Sequence, residues 1–166
     1  NLDFYVIHKG EPGFFNLLNS YIEKTKDIKR MKESAIKDVA FYDAEKNQVL
    51  RGEETQWLKD LDIIPSPYLT GVMDEFFYES LIPNLETNRG CPYPCTFCVW
   101  GDLDYQKMSV FPFERIKEEL NYIAKKVSET KNTNILCISD SNFGIFEERD
   151  YEFSKIIREL YEKYGY

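Results

Sequence analysis

No apolar run in this chain approaches the ~18 consecutive residues that a membrane-spanning helix needs, and no basic segment followed by an apolar one opens it. A membrane-embedded or secreted protein is therefore not expected. Positive charge is in deficit, with 21 Lys and Arg against 29 Asp and Glu and a net charge of −8. Such a balance disfavours a surface that tracks phosphates, so nucleic acid is not an expected partner. Histidine occurs once, at His8, and short-period repeats and low-complexity tracts are absent. Cysteine is sparse too: there are four, and Cys91, Cys95 and Cys98 fall within eight residues of one another. That crowding does not suit a secreted disulfide framework and points to metal in a reducing, cytoplasmic compartment.

What is present is enough apolar and aromatic side chain, 43% and 16% of the 166 residues, to build a core for one ordinary domain or two small ones. The chain opens at Asn1 inside an apolar stretch and reads as a piece of something longer. Phe4 to Ile7 predicts a strand, and Phe14, Leu17, Leu18, Tyr21 and Ile22 share one face of a following helix. Val39–Tyr42 and Gln48–Leu50 flank a polar turn and predict a β-hairpin. Pro65 and Pro67 mark an extended linker and a domain boundary.

Beyond it, residues 81–88 predict a strand. Pro112 opens a helix striped with Phe113, Ile116, Leu120, Ile123 and Val127. Residues 134–139 predict a strand covered on both faces, with Cys137 as a small core residue. Asp150 is placed to cap a last helix facing inward with Phe153, Ile156, Ile157, Leu160 and Tyr164. The second half is thus two βα units in succession.

The run Gly90-Cys91-Pro92-Tyr93-Pro94-Cys95-Thr96-Phe97-Cys98 puts three thiols on one short loop after a strand. Gly90 permits a backbone turn before the first thiol, and Pro92 and Pro94 stiffen the loop, which lowers the entropy lost on metal binding. Phe97 and Trp100 can shield a bound centre from water. Three local donors leave one position of a four-ligand centre open, and an open position is where chemistry happens. The residues alone leave other readings standing: a zinc-stabilised, non-catalytic interaction module with Cys137 or His8 as fourth ligand, or an electron-carrier cluster that recruits a fourth cysteine.

The Cys-x-x-x-Cys-x-x-Cys spacing, with Phe97 just before the last cysteine, resembles the signature of the radical S-adenosylmethionine (SAM) enzymes. The resemblance implies that Cys91, Cys95 and Cys98 hold a four-iron four-sulfur (4Fe-4S) cluster whose fourth iron is chelated by SAM. Reductive cleavage of the sulfonium then starts radical chemistry, such as cobalamin-linked methyl transfer, cyclisation or rearrangement. It also implies Phe97, ahead of Tyr93, beside the adenine, and Asp140 accepting from the methionine amino group with Asn142 assisting, although the family's usual Gly-Gly-Glu is absent there and Asp140 equally suits the capping of a strand–helix turn. An external reductant such as flavodoxin or ferredoxin, and a small-molecule or natural-product substrate of the parent enzyme, are the partners implied. Arg89 suits either a charge-balancing role or a surface ion pair, and residues 147–150 read as a solvated helix start.

Asp3 to Glu11, the hairpin and Pro65-Ser66-Pro67-Tyr68 together resemble the end of a cobalamin-binding module and its linker. Cobalamin is implied by that architecture alone, because the Asp-x-His-x-x-Gly element is missing and His8 does not match it. The expected fold is α/β: residues 1–60 end a doubly wound cobalamin-binding-type domain, 61–80 link, and 81–166 begin a radical SAM partial (β/α)6 barrel. A fragment of this kind is expected to be inactive alone.

Overall fold

The computed structural model describes residues 2–7, 10–55, 58–101 and 106–165. The chain forms two compact units, Asn1–Leu58 and Lys59–Tyr166. The fold is mixed α/β in both.

In the first unit, β1 (Tyr5–Val6), β2 (Val39–Asp43) and β3 (Gln48–Arg51) form one sheet in that order, all antiparallel. The hairpin is where the sequence predicts it, closed by the Asp43 carboxylate, which accepts from the N–H groups of Glu45 (3.0 Å) and Lys46 (3.1 Å). A doubly wound unit leads one to expect parallel neighbours; the antiparallel pairs described here are of the kind that mixed sheets carry at an edge.

Helices α1 (Glu11–Glu23) and α2 (Ile28–Met31) lie between β1 and β2 in the chain. Met31, Ile36 and Val39 form a small core with Phe4, Leu17 and Tyr21 packed against it. Only part of the predicted face of α1 is used: Phe14, Leu18 and Ile22 remain exposed. Asp38 was not singled out by pattern, yet it closes the unit. Its carboxylate accepts from the Thr55 N–H and hydroxyl, and its backbone bonds Ile7 (2.8 Å) and Glu53 (2.9 Å).

Residues 61–80, expected as a linker, pack within the second unit. Leu61 and Phe77 are buried, and the Tyr68 hydroxyl both donates to the carbonyl of Asn84 (2.8 Å) and accepts from its N–H (2.9 Å). Arg115 donates to the carbonyls of Leu61 (3.2 Å) and Ile64 (2.6 Å) and pairs with Glu119 (3.1 Å). The segment is a run of turns ending in a 3-10 helix at Glu75–Tyr78 rather than an extended strand, and its carbonyls and Phe77 find partners on a helix.

That helix is α3 (Phe113–Thr130), which buries the predicted Ile116, Leu120, Ile123 and Val127; Phe113 instead stacks on Phe153 of α4 (Glu147–Tyr164), centroids 4.5 Å apart. The parallel pair is β4 (Asn84–Leu85) with β7 (Cys137–Ile138), joined through α3. Between them in the chain, β5 (Asn88–Arg89) pairs antiparallel with β6 (Ser109–Val110). The expectation that residues 134–139 are covered on both faces does not hold, since Cys137 is exposed and Ile135 is 53% exposed. Two paired strands give one helical layer too little sheet to fill. A largely apolar cleft of about 420 Å³ accordingly remains among α3, α4 and residues 134–136.

Arg115→Met should destabilise the complete protein by roughly 3–5 kcal/mol, because Glu119 would be left as a buried, unpaired charge. Hydrogen exchange at residues 61–64 should rise by about two orders of magnitude, and adding Glu119→Gln should recover much of the loss.

Candidate functional site

The cysteine loop is a closed excursion from the sheet. β5 and β6 pair at its neck, Asn88 opposite Val110 and Arg89 opposite Ser109. The Phe111 N–H then bonds the Thr87 carbonyl (3.1 Å). Arg149 clamps the same neck, donating to the carbonyls of Thr87 (2.8 Å) and Phe111 (3.3 Å) with its guanidinium 4.6 Å from the Phe153 ring centroid. Burial lowers the Arg149 pKa from its ordinary value, while Asp150 and Asp140 pull it back up.

Within the loop, Gly90 adopts φ 101°, a conformation that side chains resist, and turns the chain into Cys91. Two successive turns follow: Cys98 N–H to the Cys95 carbonyl (3.2 Å) and Gly101 N–H to the Cys98 carbonyl (2.9 Å). Gly101 is required there, since a Cβ would stand 2.2 Å from the Cys95 oxygen.

All four cysteines are free thiols; Cys91 is buried, Cys95 partly so, and Cys98 exposed. Among the described residues no three His, Cys, Asp or Glu side chains are gathered closely enough to hold a metal ion. The loop therefore carries the three sulfurs without converging them. Thiols have little attraction for one another, and in metal sites it is the bonds to the metal that supply the free energy of gathering. The donor chemistry fits an iron–sulfur cluster: three unpaired thiols at the required spacing on a loop pinned at both ends.

Asp140 and Asn142 come to this loop from the end of β7 and engage it differently. The Asp140 carboxylate accepts from the N–H groups of Thr87 (2.6 Å) and Asn88 (3.2 Å), from the Asn88 amide (2.7 Å) and from the Thr87 hydroxyl. Four donors use the acceptor capacity of a carboxylate. Asp140 thus holds the loop's entry strand through these bonds. Asn142 instead reaches the loop itself, its Nδ2 donating to Cys91 Sγ at 3.0 Å.

Phe97, expected beside the adenine, is 91% exposed, and Tyr93, Val99 and Trp100 add to an uncovered apolar rim. Arg89 pairs with Glu86 (2.7 Å), with its side chain only 15% exposed. His8 lies outside the described residues.

Sequence reasoning missed Thr87, Asn88 and Arg149, and it misplaced Asp150. Arg149 and Asp150 sit in a run of charges that looks solvated, yet Asp150 is buried. It lies inside α4 rather than before it, accepting from the N–H groups of Gly144 (2.8 Å) and Phe146 (3.1 Å). The side-chain oxygen of Asn88 is buried and has no hydrogen-bond partner among the described residues.

No family model matches the chain. Over 120 residues, 69% of the chain, it is 37% identical to the cobalamin-dependent radical SAM methyltransferase TokK of Streptomyces tokunonensis. Over 99 residues, 56% of the chain, it is 39% identical to the 2-(S-pantetheinyl)-carbapenam-3-carboxylate methyltransferase of Streptantibioticus cattleyicolor. The matched regions cover 17% and 14% of those two proteins, so the chain spans a small part of the curated relatives it matches. Structurally, 91% of the chain superimposes on 20% of OxsB, a cobalamin-dependent SAM radical enzyme solved with aqua-cobalamin and SAM bound, with TM-score 0.58 and 20% identity. That likeness shows the fold; the sequence matches show that the chain's homologues include methyltransferases, one of them a cobalamin-dependent radical SAM enzyme. Among the described residues no helix is long and apolar enough to cross a membrane.

Asp140→Ala should strand the four donors that converge on this carboxylate and cost about 2–4 kcal/mol. In the reduced, metal-free complete protein, Cys98 should alkylate quickly and Cys91 slowly. In the variant Cys91 should react at least about tenfold faster, as local opening of that cost requires.

Proposed function

We propose that this chain is the cluster-bearing segment of a cobalamin-dependent radical SAM enzyme, a methyltransferase by kinship. The observation that carries the reading is 37% identity over 120 residues to a cobalamin-dependent radical SAM methyltransferase. When bound, a 4Fe-4S cluster with SAM at its open iron supplies the electron that cleaves the sulfonium and starts radical chemistry.

In this reading Cys91, Cys95 and Cys98 are the thiolate ligands. Gly90 and the paired β5–β6 neck aim the loop, and Pro92 and Pro94 limit its freedom before loading. Asp140 and Arg149 keep the neck closed from below. The exposed ring of Phe97 offers a face on which adenine can stack, and the amide oxygen of Asn142 is assigned to the methionine amino group. Trp100 and Val99 would exclude water once covered by the remainder of the enzyme.

The first unit is read as the end of a cobalamin-binding-type, doubly wound domain, and the second as the first two βα units of a partial barrel. Substrate, a small molecule or natural product, would be contacted mainly by parts of the parent enzyme outside this chain. An external reductant such as flavodoxin or ferredoxin would supply the electron. The chain alone is expected to be inactive.

Anaerobic reconstitution of the complete protein with iron and sulfide tests this. About four iron and four sulfide per chain and broad absorption near ~400 nm are expected. Alanine at Cys91, Cys95 or Cys98 should each abolish the cluster, whereas Cys137→Ala should leave it intact. A colourless protein that retains one zinc per chain and takes up no iron would overturn the assignment in favour of a zinc-stabilised module.

A further inference from the structure

The bond from Asn142 Nδ2 to Cys91 Sγ has a consequence beyond holding the loop. We propose that Asn142 is a positioning residue that sets the reduction potential of the cluster by donating a hydrogen bond to its first thiolate. The inference rests on the cluster reading above.

Four observations carry it. The bond is 3.0 Å long and joins residues 51 apart, so tertiary structure and not local chain geometry makes it. Cys91 is the buried member of the trio, at 8% exposure, and a hydrogen bond sheltered from water acts at a lower local dielectric than one on the surface. Asn142 is carried by the same short segment as Asp140, whose four bonds to Thr87 and Asn88 lock that segment against the strand leading to Cys91. The donor is thus placed before any cluster is bound. Finally, the amide is neutral and does not titrate, so its effect is that of a fixed dipole.

The physical effect has a definite sign. Adding an electron to a cluster increases the negative charge on its sulfurs. A donor aimed at one of them stabilises the reduced form more than the oxidised form and raises the potential. Among the described residues no other side chain is seen bonded to any of the three sulfurs, so the influence is concentrated on the buried corner.

The test uses the complete protein, reconstituted anaerobically, with redox titration followed by electron paramagnetic resonance. Asn142→Leu removes the donor at similar volume, and Asn142→Asp keeps the shape but replaces the donor with a carboxylate. At a fixed ambient potential the reduced-to-oxidised ratio should fall about tenfold in Asn142→Leu, equivalent to about 59 mV for one electron, and further in Asn142→Asp. Protein made with isotopically labelled asparagine should show a side-chain nitrogen coupled to the reduced cluster, and that coupling should vanish in Asn142→Leu at unchanged iron content. A loaded variant whose ratio stays within twofold of the parent overturns the proposal. So does a wild-type cluster with no asparagine nitrogen coupled to it, a result that stands even where a variant fails to load. A wild-type protein that takes up no iron defeats the cluster assignment itself, an outcome distinct from either.

Discussion

One carboxylate organises the site end of the second unit. Asp140, at the end of β7, gathers the backbone N–H groups and side chains of Thr87 and Asn88 at the point where β4 passes into β5. The parallel β4–β7 pairing is only two residues long, too little to define register by itself. A charged acceptor with four donors supplies what the ladder lacks. Everything above depends on it: the neck of the cysteine loop, the burial of Cys91, and the reach of Asn142 to its sulfur.

Arg149 works on the same junction from the other side. Its guanidinium bonds the carbonyl of Phe111, the carbonyl of Thr87 (which also accepts the Phe111 N–H) and the hydroxyl of Thr87. Acid and base therefore meet through Thr87 without a direct ion pair between Arg149 and Asp140. The loop's rigidity is set from below, while its rim of Tyr93, Phe97, Val99 and Trp100 stays exposed. A site built this way is firm where thiols must be presented and open where a cofactor and further protein would lie.

The cysteine loop is legible in sequence because its meaning is local: three thiols, two prolines and a glycine within nine residues. The helices are legible for the same reason, since the stripe of α3 buries as its periodicity predicts. Prediction fails where a residue's role depends on a distant partner. Prolines suggested a linker at residues 61–80, and nothing in them revealed the bonds from Arg115, about fifty residues further on, that pin residues 61–64. Charges suggested a solvated helix start at residues 147–150, but Arg149 and Asp150 are spent on the neck and on the helix's own entry. Gathering of the three sulfurs was expected from spacing, and proximity along a chain does not supply the attraction that brings them to a point.

The amino-acid sequence by itself determined which donors are available and which segments become α1, α3, α4 and the hairpin. Those outcomes follow from short-range geometry: helical period, turn chemistry and backbone restriction. Only the tertiary structure decided that Asp140 would anchor Thr87 and Asn88, and that Asn142 would address Cys91. Both depend on β7 lying beside β4 in one particular register. A side chain's hydrogen-bond partner more than fifty residues away is a property of that register and of no local pattern.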